Sequence, residues 1–170
     1  KTGTLTQNKM TVARILIGMD TKYIIGGAPL EVTATFQLDQ QVAGEDAPKK
    51  PNRKFIDIEE EQEKNRLTFE FFRSAALCGT TILKCNGNML EGTGNPTEIA
   101  LQASAWKAAA ERAKWEEAGY ESTGEFPFDS SIKRMSASYY NAETKESYIC
   151  TKGAPERVLK LCKWKMAPGP

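Results

Sequence analysis

The 170-residue sequence contains no histidine, and none of its four cysteines forms a C-x-x-C pair. Common zinc sites use close cysteine pairs or histidine ligands, so no metal site is predicted. The absence of histidine also removes the Ser-His-Asp and Cys-His catalytic schemes. The apolar neighbours of the cysteines predict reduced, partly buried thiols at Cys78, Cys85, Cys150 and Cys162.

The sequence also lacks a charge excess and a long apolar run. Lys and Arg total 23 against 22 Asp and Glu, a net charge of +1, which argues against a nucleic-acid partner. No apolar run approaches the roughly 18–20 residues that span a bilayer, and no signal peptide is present. Because the sequence begins at Lys1 rather than Met, we interpret it as a single domain excised from a larger protein.

The hydrophobic pattern predicts a mixture of hairpins and helices. Three hairpins are expected at 11–25, 81–92 and 135–152, and a polar, mobile loop at 39–54. Helices are expected at 59–78, from Asn95 to a stop at Gly119, and from Pro155 to Cys162. Because the strands are neighbours in sequence, the predicted class is α+β, a twisted antiparallel sheet flanked by helices.

Four segments have residue types suited to binding an anion or a base. Lys1–Thr6 places a glycine between hydroxyl residues, which suits either an anion-binding turn or a threonine-rich strand. In Gly94–Glu98, Asn95 and Glu98 could form a capping box or Glu98 could contact a ligand.

The other two segments combine aromatic, basic and glycine residues. In 125–136, a phenylalanine and Lys133 could stack a base and neutralise a phosphate, or the rings could be core and the lysine solvated. In 152–156, Lys152 and Gly153 could reach a pocket floor or form an ordinary strand–turn–helix junction.

Together, the four segments resemble the signatures of P-type ATPases in type and order. K-T-G-T-L-T resembles the end of the family's D-K-T-G-T-L-T motif, and G-N-P-T-E resembles G-[DEN]-[AP]-[TS]-E. P-F-D-S-S-I-K-R-M-S resembles P-F-[DN]-S-x-x-K-[RY]-M-S, and K-G-A-P-E is a family hallmark. The resemblance covers the whole chain, with looser agreement between Ile17 and Glu60, and it implies the nucleotide-binding domain of a type II cation pump.

The resemblance implies an ATP site and the roles of its residues. Glu98 would face the adenine amino group, Phe128 rather than Phe126 would stack on the ring, and Lys133 and Lys152 would approach the base or phosphates. Gly153 would let the ligand in, and Phe126 would be structural. The full set implied is Thr97, Glu98, Phe128, Ser130, Lys133, Met135, Lys152 and Gly153. Some relatives carry Arg at the position of Ser130, so a phosphate contact could be missing here.

The resemblance implies no catalytic residue within the chain. The nucleophilic aspartate would stand immediately before Lys1, beside Thr2, Gly3 and Thr4, so the fragment is expected to bind ATP without hydrolysing it. Residues 1–8 would be a remnant of the phosphorylation loop and hinge, and 9–170 the nucleotide-binding domain. Mg²⁺ would be held mainly by the phosphorylation domain of the parent.

The implied parent is an integral membrane protein, of which this chain would be a cytosolic domain. Its partners would be the phosphorylation and actuator domains of the same pump and the transported cation. The block from Glu125 to Tyr140 and the N-P-T-E-I-A-L-Q helix start resemble the fungal-type sodium-exporting subgroup, with calcium pumps next. Two other readings stay open: a protein-interaction domain that docks through 39–54, and an acid-dehalogenase-like phosphatase with a D-x-x-G-T loop.

Overall fold

A computed structural model describes residues 9–18, 21–39 and 53–167 of the chain. The residues 1–8 assigned to a phosphorylation loop, and most of the predicted loop at 39–54, lie outside this part. Within it, every strand pairing is antiparallel, and the helices stand between and beside the sheets. The predicted α+β class is therefore confirmed.

The strands form three sheets, each a simple meander. The first contains β1 (Arg14–Ile17), β2 (Thr21–Ile25), β3 (Phe36–Asp39) and β4 (Arg53–Ile56). The second is the hairpin of β5 (Ile82–Asn86) and β6 (Met89–Thr93). The third contains β7 (Tyr120–Asp129), β8 (Arg134–Asn141) and β9 (Glu146–Gly153). The three predicted hairpins are confirmed, whereas β3, β4 and most of β7 were not predicted.

The helices are shorter than the periodicity predicts. They are α1 (Ile58–Lys64), α2 (Arg66–Leu77), α3 (Pro96–Lys107), α4 (Arg112–Glu117) and α5 (Pro155–Val158), followed by a 3₁₀ turn (Leu159–Leu161). The single helix predicted at 59–78 is wrong, because Asn65 ends α1 and caps α2 by accepting hydrogen bonds from the N–H groups of Leu67 and Thr68.

The helix predicted from Asn95 to Gly119 is likewise two helices. Ala109 adopts a left-handed backbone with φ of 53°, and the N–H of Ala110 bonds back to the carbonyl of Ala105, which closes α3. No glycine or proline marks this break, so the sequence pattern does not reveal it. Gly119, with φ of 85°, follows α4 as the predicted stop.

The core is built around α2, which separates the first sheet from the third. Phe72 and Leu77 of α2 are completely buried, and Phe72 packs edge-on against Phe36 of β3 with 6.1 Å between ring centroids. On the other side, the core continues into β8 and β9 through Met135 and Cys150. One continuous core therefore fixes the third sheet, which carries two of the four candidate segments, relative to the helices.

The cysteine prediction is correct for two of the four residues. Cys78 and Cys150 are buried, whereas Cys85 and Cys162 are exposed, and all four are free thiols. Cys85 lies between Lys84 and Asn86 on the short second sheet, and Cys162 follows the 3₁₀ turn, where the apolar neighbour Leu161 does not imply burial. Among the described helices, none is long and apolar enough to cross a bilayer.

A buried arginine ties α2 to the third sheet. The Arg73 side chain donates to Glu70 at 2.6 Å, to Glu146 at 3.3 Å and to the Tyr120 hydroxyl at 3.1 Å. Its guanidinium carbon lies 3.9 Å from the ring centroid of Tyr148. Carboxylates and aromatic faces thus replace the water that burial removes from this charge.

Arg73→Met is expected to lower the free energy of unfolding by about 1–3 kcal/mol, because it removes the hydrogen bonds and the charge that Arg73 supplies to the partly buried Glu70 and Glu146 carboxylates. The measurement is urea unfolding followed by circular dichroism. Arg66→Met is the matched control: Arg66 is on the same helix, but its side chain is 64% exposed and 4.0 Å from Glu70, so a loss below about 0.5 kcal/mol is expected. Equal losses in both variants would contradict a special role for Arg73.

Candidate functional site

Three segments distant in sequence meet around one cavity of about 620 Å³. Its walls are the first turn of α3, the turn between β7 and β8, and the end of β9. A volume of this size lies within the range of small-molecule sites, about 300–1,000 Å³. The geometry is that of a binding site for one ligand of moderate size.

All eight residues proposed from the sequence as ligand contacts line this cavity. They are Thr97, Glu98, Phe128, Ser130, Lys133, Met135, Lys152 and Gly153. Lys1, Thr2, Gly3 and Thr4 lie outside the described residues. The docking-domain reading does not account for this convergence, because a protein-interaction module needs no such cavity.

Three further residues line the cavity without having been proposed as ligand contacts: Asn95, Leu101 and Ala154. Each had a signal in the sequence. Asn95 belongs to the same G-N-P-T-E segment, Leu101 follows Glu98 by three residues and so shares its helix face, and Ala154 is the third residue of K-G-A-P-E.

The first turn of α3 presents Glu98 to the cavity. Asn95 caps the helix by accepting a hydrogen bond from the N–H of Thr97 at 2.8 Å, and Pro96 occupies the first helical position. The capping box, one of the two alternatives for Asn95 and Glu98, is not formed, since the Glu98 carboxylate bonds instead to the loop after α2. One oxygen, Oε2, accepts from the N–H of Thr80 at 2.9 Å and from that of Thr81 at 3.2 Å.

Glu98 also forms an ion pair with Lys152 at the end of β9. Lys152 Nζ lies 3.1 Å from Glu98 Oε1, and it donates a second hydrogen bond to the carbonyl of Cys78. Burial alone would raise the pKa of Glu98, but the hydrogen bond from Lys152 and those from Thr80 and Thr81 outweigh it, and the pKa is lowered. The carboxylate is therefore ionised at neutral pH and can only accept hydrogen bonds.

The end of β7, just before its turn into β8, carries an exposed aromatic ring. Phe128 is 62% exposed and Phe126 is 64% exposed, so neither ring belongs to the core, and the prediction that Phe126 is structural finds no support in burial. Of the two, only Phe128 lines the cavity. An apolar ring left in water beside a concave surface is suited to stack on a planar ligand.

The same turn is closed by its own polar side chains. The Asp129 carboxylate accepts from the hydroxyl of Ser131 at 2.6 Å and from its N–H at 2.7 Å, and these bonds lower the pKa of Asp129. The N–H of Lys133 bonds to the carbonyl of Asp129, and Lys133 is left-handed with φ of 52°. This tight turn fixes where the Lys133 side chain leaves the backbone.

Gly153 has a packing role in addition to its place on the cavity wall. A Cβ at this position would lie 2.3 Å from the carbonyl oxygen of Lys133 and 2.7 Å from the Cα of Arg134. Gly153 lines the cavity, but the space that its missing side chain leaves is filled by the neighbouring strand. Glycine is needed here so that the ends of β8 and β9 can approach each other.

The chain is similar to one known protein family and to several curated proteins. The family profile described as "P-type ATPase, cytoplasmic domain N" matches residues 42–168. The "Calcium-transporting ATPase" of Bacillus subtilis is 32% identical over 160 residues, which cover 94% of this chain and 16% of that protein.

The names of two fungal relatives refer to sodium and potassium rather than to calcium. The "Sodium/potassium exporting P-type ATPase 1" of Saccharomyces cerevisiae is 33% identical over 93 residues, 41% of this chain and 8% of that protein. The "Sodium/potassium exporting P-type ATPase cta3" of Schizosaccharomyces pombe is 27% identical over 173 residues, 95% of this chain and 16% of that protein. The chain thus spans less than a fifth of these relatives.

Glu98→Gln is expected to lower the free energy of unfolding by about 2–3 kcal/mol at pH 7, because it removes the ion pair and weakens the bonds to the loop. The stabilisation by a carboxylate with a lowered pKa is complete above the pKa of an unfolded glutamate, about 4.3, and is lost as the pH falls through the lower folded value.

The difference in the free energy of unfolding between the unsubstituted chain and Glu98→Gln should therefore become smaller below about pH 4.3. Urea unfolding at a series of pH values measures it. Glu121→Gln, at an exposed glutamate of β7, serves as the control, with an expected change below about 0.5 kcal/mol. A difference that does not change with pH would contradict the assigned ionisation of Glu98.

Proposed function

Because this chain belongs to the family of P-type ATPase cytoplasmic N domains, we propose that its cavity binds the adenine end of ATP for a larger cation pump. The observation that carries the proposal is the convergence of the eight motif residues on one cavity with an exposed ring, a carboxylate and two lysines. Each of these groups matches one part of the nucleotide.

Phe128 is the proposed stacking surface for adenine. Its exposed ring would lose contact with water on binding a base, and base–aromatic stacking contributes about 1–3 kcal/mol. The buried Met135 and the helical Leu101 add apolar contacts on the cavity wall. A site that relies on one ring and few polar contacts is expected to bind weakly, with a Kd on the order of millimolar, about −4 kcal/mol.

Glu98 and Lys152 are the proposed polar contacts. A carboxylate has about four acceptor positions and an ammonium has three N–H donors. Lys152 uses two donors on Glu98 and Cys78, which leaves one for the nucleotide. Glu98 Oε1 accepts from Lys152 and keeps one acceptor position for the adenine amino group. Lys133, Ser130 and Thr97 are proposed to contact the base or phosphates.

The rest of the reaction is assigned to other domains of the proposed pump. Among the residues at 9–18, 21–39 and 53–167, no group of three or more Cys, Asp or Glu side chains could hold a metal ion. From the resemblance to the family, we assign Mg²⁺ and the aspartyl-phosphate chemistry to the phosphorylation domain, which would take ATP from this one. ATP binding by the 170 residues is expected to persist without Mg²⁺, with negligible hydrolysis.

The proposed parent is a membrane protein that exports a cation with the help of its phosphorylation and actuator domains. In this proposal, residues 9–170 are the nucleotide-binding domain, and residues 1–8 belong to the phosphorylation loop and hinge. Sodium and calcium are both candidates, since the names of the relatives contain both. Phosphorylation of the complete pump by ATP, measured with Na⁺ or Ca²⁺ as the activating ion, distinguishes them.

Phe128→Ala is expected to weaken ATP binding about fivefold to a hundredfold, because it removes the stacking surface. Phe126→Ala is the matched control: it removes an equally exposed ring two residues away that does not line the cavity, so a change below about twofold is expected. The measurement is an ATP titration up to about 10 mM that follows amide NMR shifts near Glu98, Phe128 and Lys152.

Two outcomes would overturn the assignment. If the unsubstituted 170-residue chain shows no amide NMR shifts around the cavity at the highest ATP concentration, the cavity is not a nucleotide site. If Phe126→Ala weakens binding more than Phe128→Ala, the nucleotide lies elsewhere on the turn.

A further inference from the structure

We propose that Thr80 and Thr81 are positioning residues that hold the Glu98 carboxylate so that the cavity selects purines with an amino group at carbon 6 over those with a carbonyl there. The inference rests on the proposed function, since it concerns the base that the same cavity binds. Neither threonine belongs to the motif segments, and neither lines the cavity.

The two threonines direct all their donors at one oxygen atom. Glu98 Oε2 accepts from both backbone N–H groups, as described above, and from the hydroxyls of Thr80 at 3.2 Å and Thr81 at 3.1 Å. Thr81 is 1% exposed, and Glu98 is 8% exposed. The two acceptor positions of Oε2 are thus shared among the threonine donors, and an acceptor position for a ligand remains on Oε1, beside Lys152.

Two glycines allow the threonines to come this close. A Cβ on Gly79 would lie 3.1 Å from Glu98 Oε2 and 3.2 Å from Lys152 Nζ. A Cβ on Gly94, which precedes the cap of α3 and has φ of 135°, would lie 2.6 Å from the Thr81 hydroxyl oxygen. The loop after α2 and the start of α3 can therefore approach closely enough for the threonines to contact the Glu98 carboxylate. A side chain on either glycine would disturb this contact.

The arrangement determines which base the cavity accepts. The donors to Oε2 and the ammonium on Oε1 stabilise the ionised carboxylate, which offers lone pairs and no proton. An adenine amino group can donate to Oε1. The carbonyl of hypoxanthine or guanine would instead place an acceptor against Oε1, which is also an acceptor. Burying these two acceptors together without a hydrogen bond makes the binding free energy less favourable.

The test compares ATP with ITP, which differ in the amino and carbonyl groups at carbon 6. Thr81→Val keeps the shape of the side chain and removes its hydroxyl donor. We expect the ratio of the ITP to the ATP dissociation constants to fall about threefold to tenfold, which is within the net contribution of one ordinary hydrogen bond, because three other donors to Oε2 remain. The pKa of Glu98, measured by carboxyl ¹³C NMR in the free chain, should rise, because one of the donors that lowers it is gone.

Two control variants separate positioning from general destabilisation. Thr81→Ser retains the hydroxyl and should restore both the selectivity and the Glu98 titration. Thr68→Val makes the same chemical change at a completely buried threonine whose hydroxyl bonds to Tyr23, and it should change neither. If Thr81→Val does not fold, Thr80→Val, at an exposed residue that also donates to Oε2, gives the same readouts with a smaller effect.

The outcomes also separate this inference from the proposed function. Absence of ATP binding by the unsubstituted chain would overturn the proposed function, and the base selectivity with it. If the parent chain prefers ATP but Thr81→Val keeps the same ratio and the same Glu98 pKa, the nucleotide site stands and the role of the threonines is wrong. Equal changes of the ITP-to-ATP ratio and of the Glu98 pKa in Thr68→Val and Thr81→Val would also overturn the positioning role. Such a result would mean that loss of stability, and not loss of the Thr81 hydroxyl, causes the changes.

Discussion

The ion pair between Glu98 and Lys152 is the interaction on which the site depends. It joins the first turn of α3 to the last residues of β9, 54 positions along the chain, and Lys152 extends the link to the carbonyl of Cys78 at the end of α2. Both charges are largely removed from water, so each stabilises the other against the loss of hydration. The Thr80 and Thr81 donors further stabilise the Glu98 carboxylate. A helix, a strand and a loop are therefore held at one point, and the cavity opens beside it.

Much of the fold and most of the cavity could be predicted from the sequence, because the informative residues act locally. Asn95 and Pro96 specify a helix start by capping and backbone preference, and β8 alternates between buried and partly exposed positions in a way that the pattern reveals. The cavity residues were predicted by resemblance to family motifs. Composition alone left Phe128 indistinguishable from a core residue, and its 62% exposure comes only from the structure.

The features that sequence reasoning missed depend on tertiary contacts. Asn65 reads as an ordinary helix residue until its side chain is seen to cap α2. Similarly, the close approach of Gly153 to the backbone of Lys133 depends on strand packing that the sequence does not show. Thr80 and Thr81 gave no signal, since a Thr-Thr pair between a helix and a strand suits any turn, and their partner lies 17 or more positions away.

The close approach at Gly153 has a consequence for how a charged ligand would be held. The N–H of Ala154 bonds to the carbonyl of Lys133, and Met135 pairs with Lys152 across adjacent strands. The backbones that bear the two cavity lysines are thereby joined as one frame, so the distance between their attachment points is built into the sheet. Because Lys152 is already held by Glu98 and the Cys78 carbonyl, an anion arriving there would have to order mainly the Lys133 side chain, which limits the entropic penalty of capture.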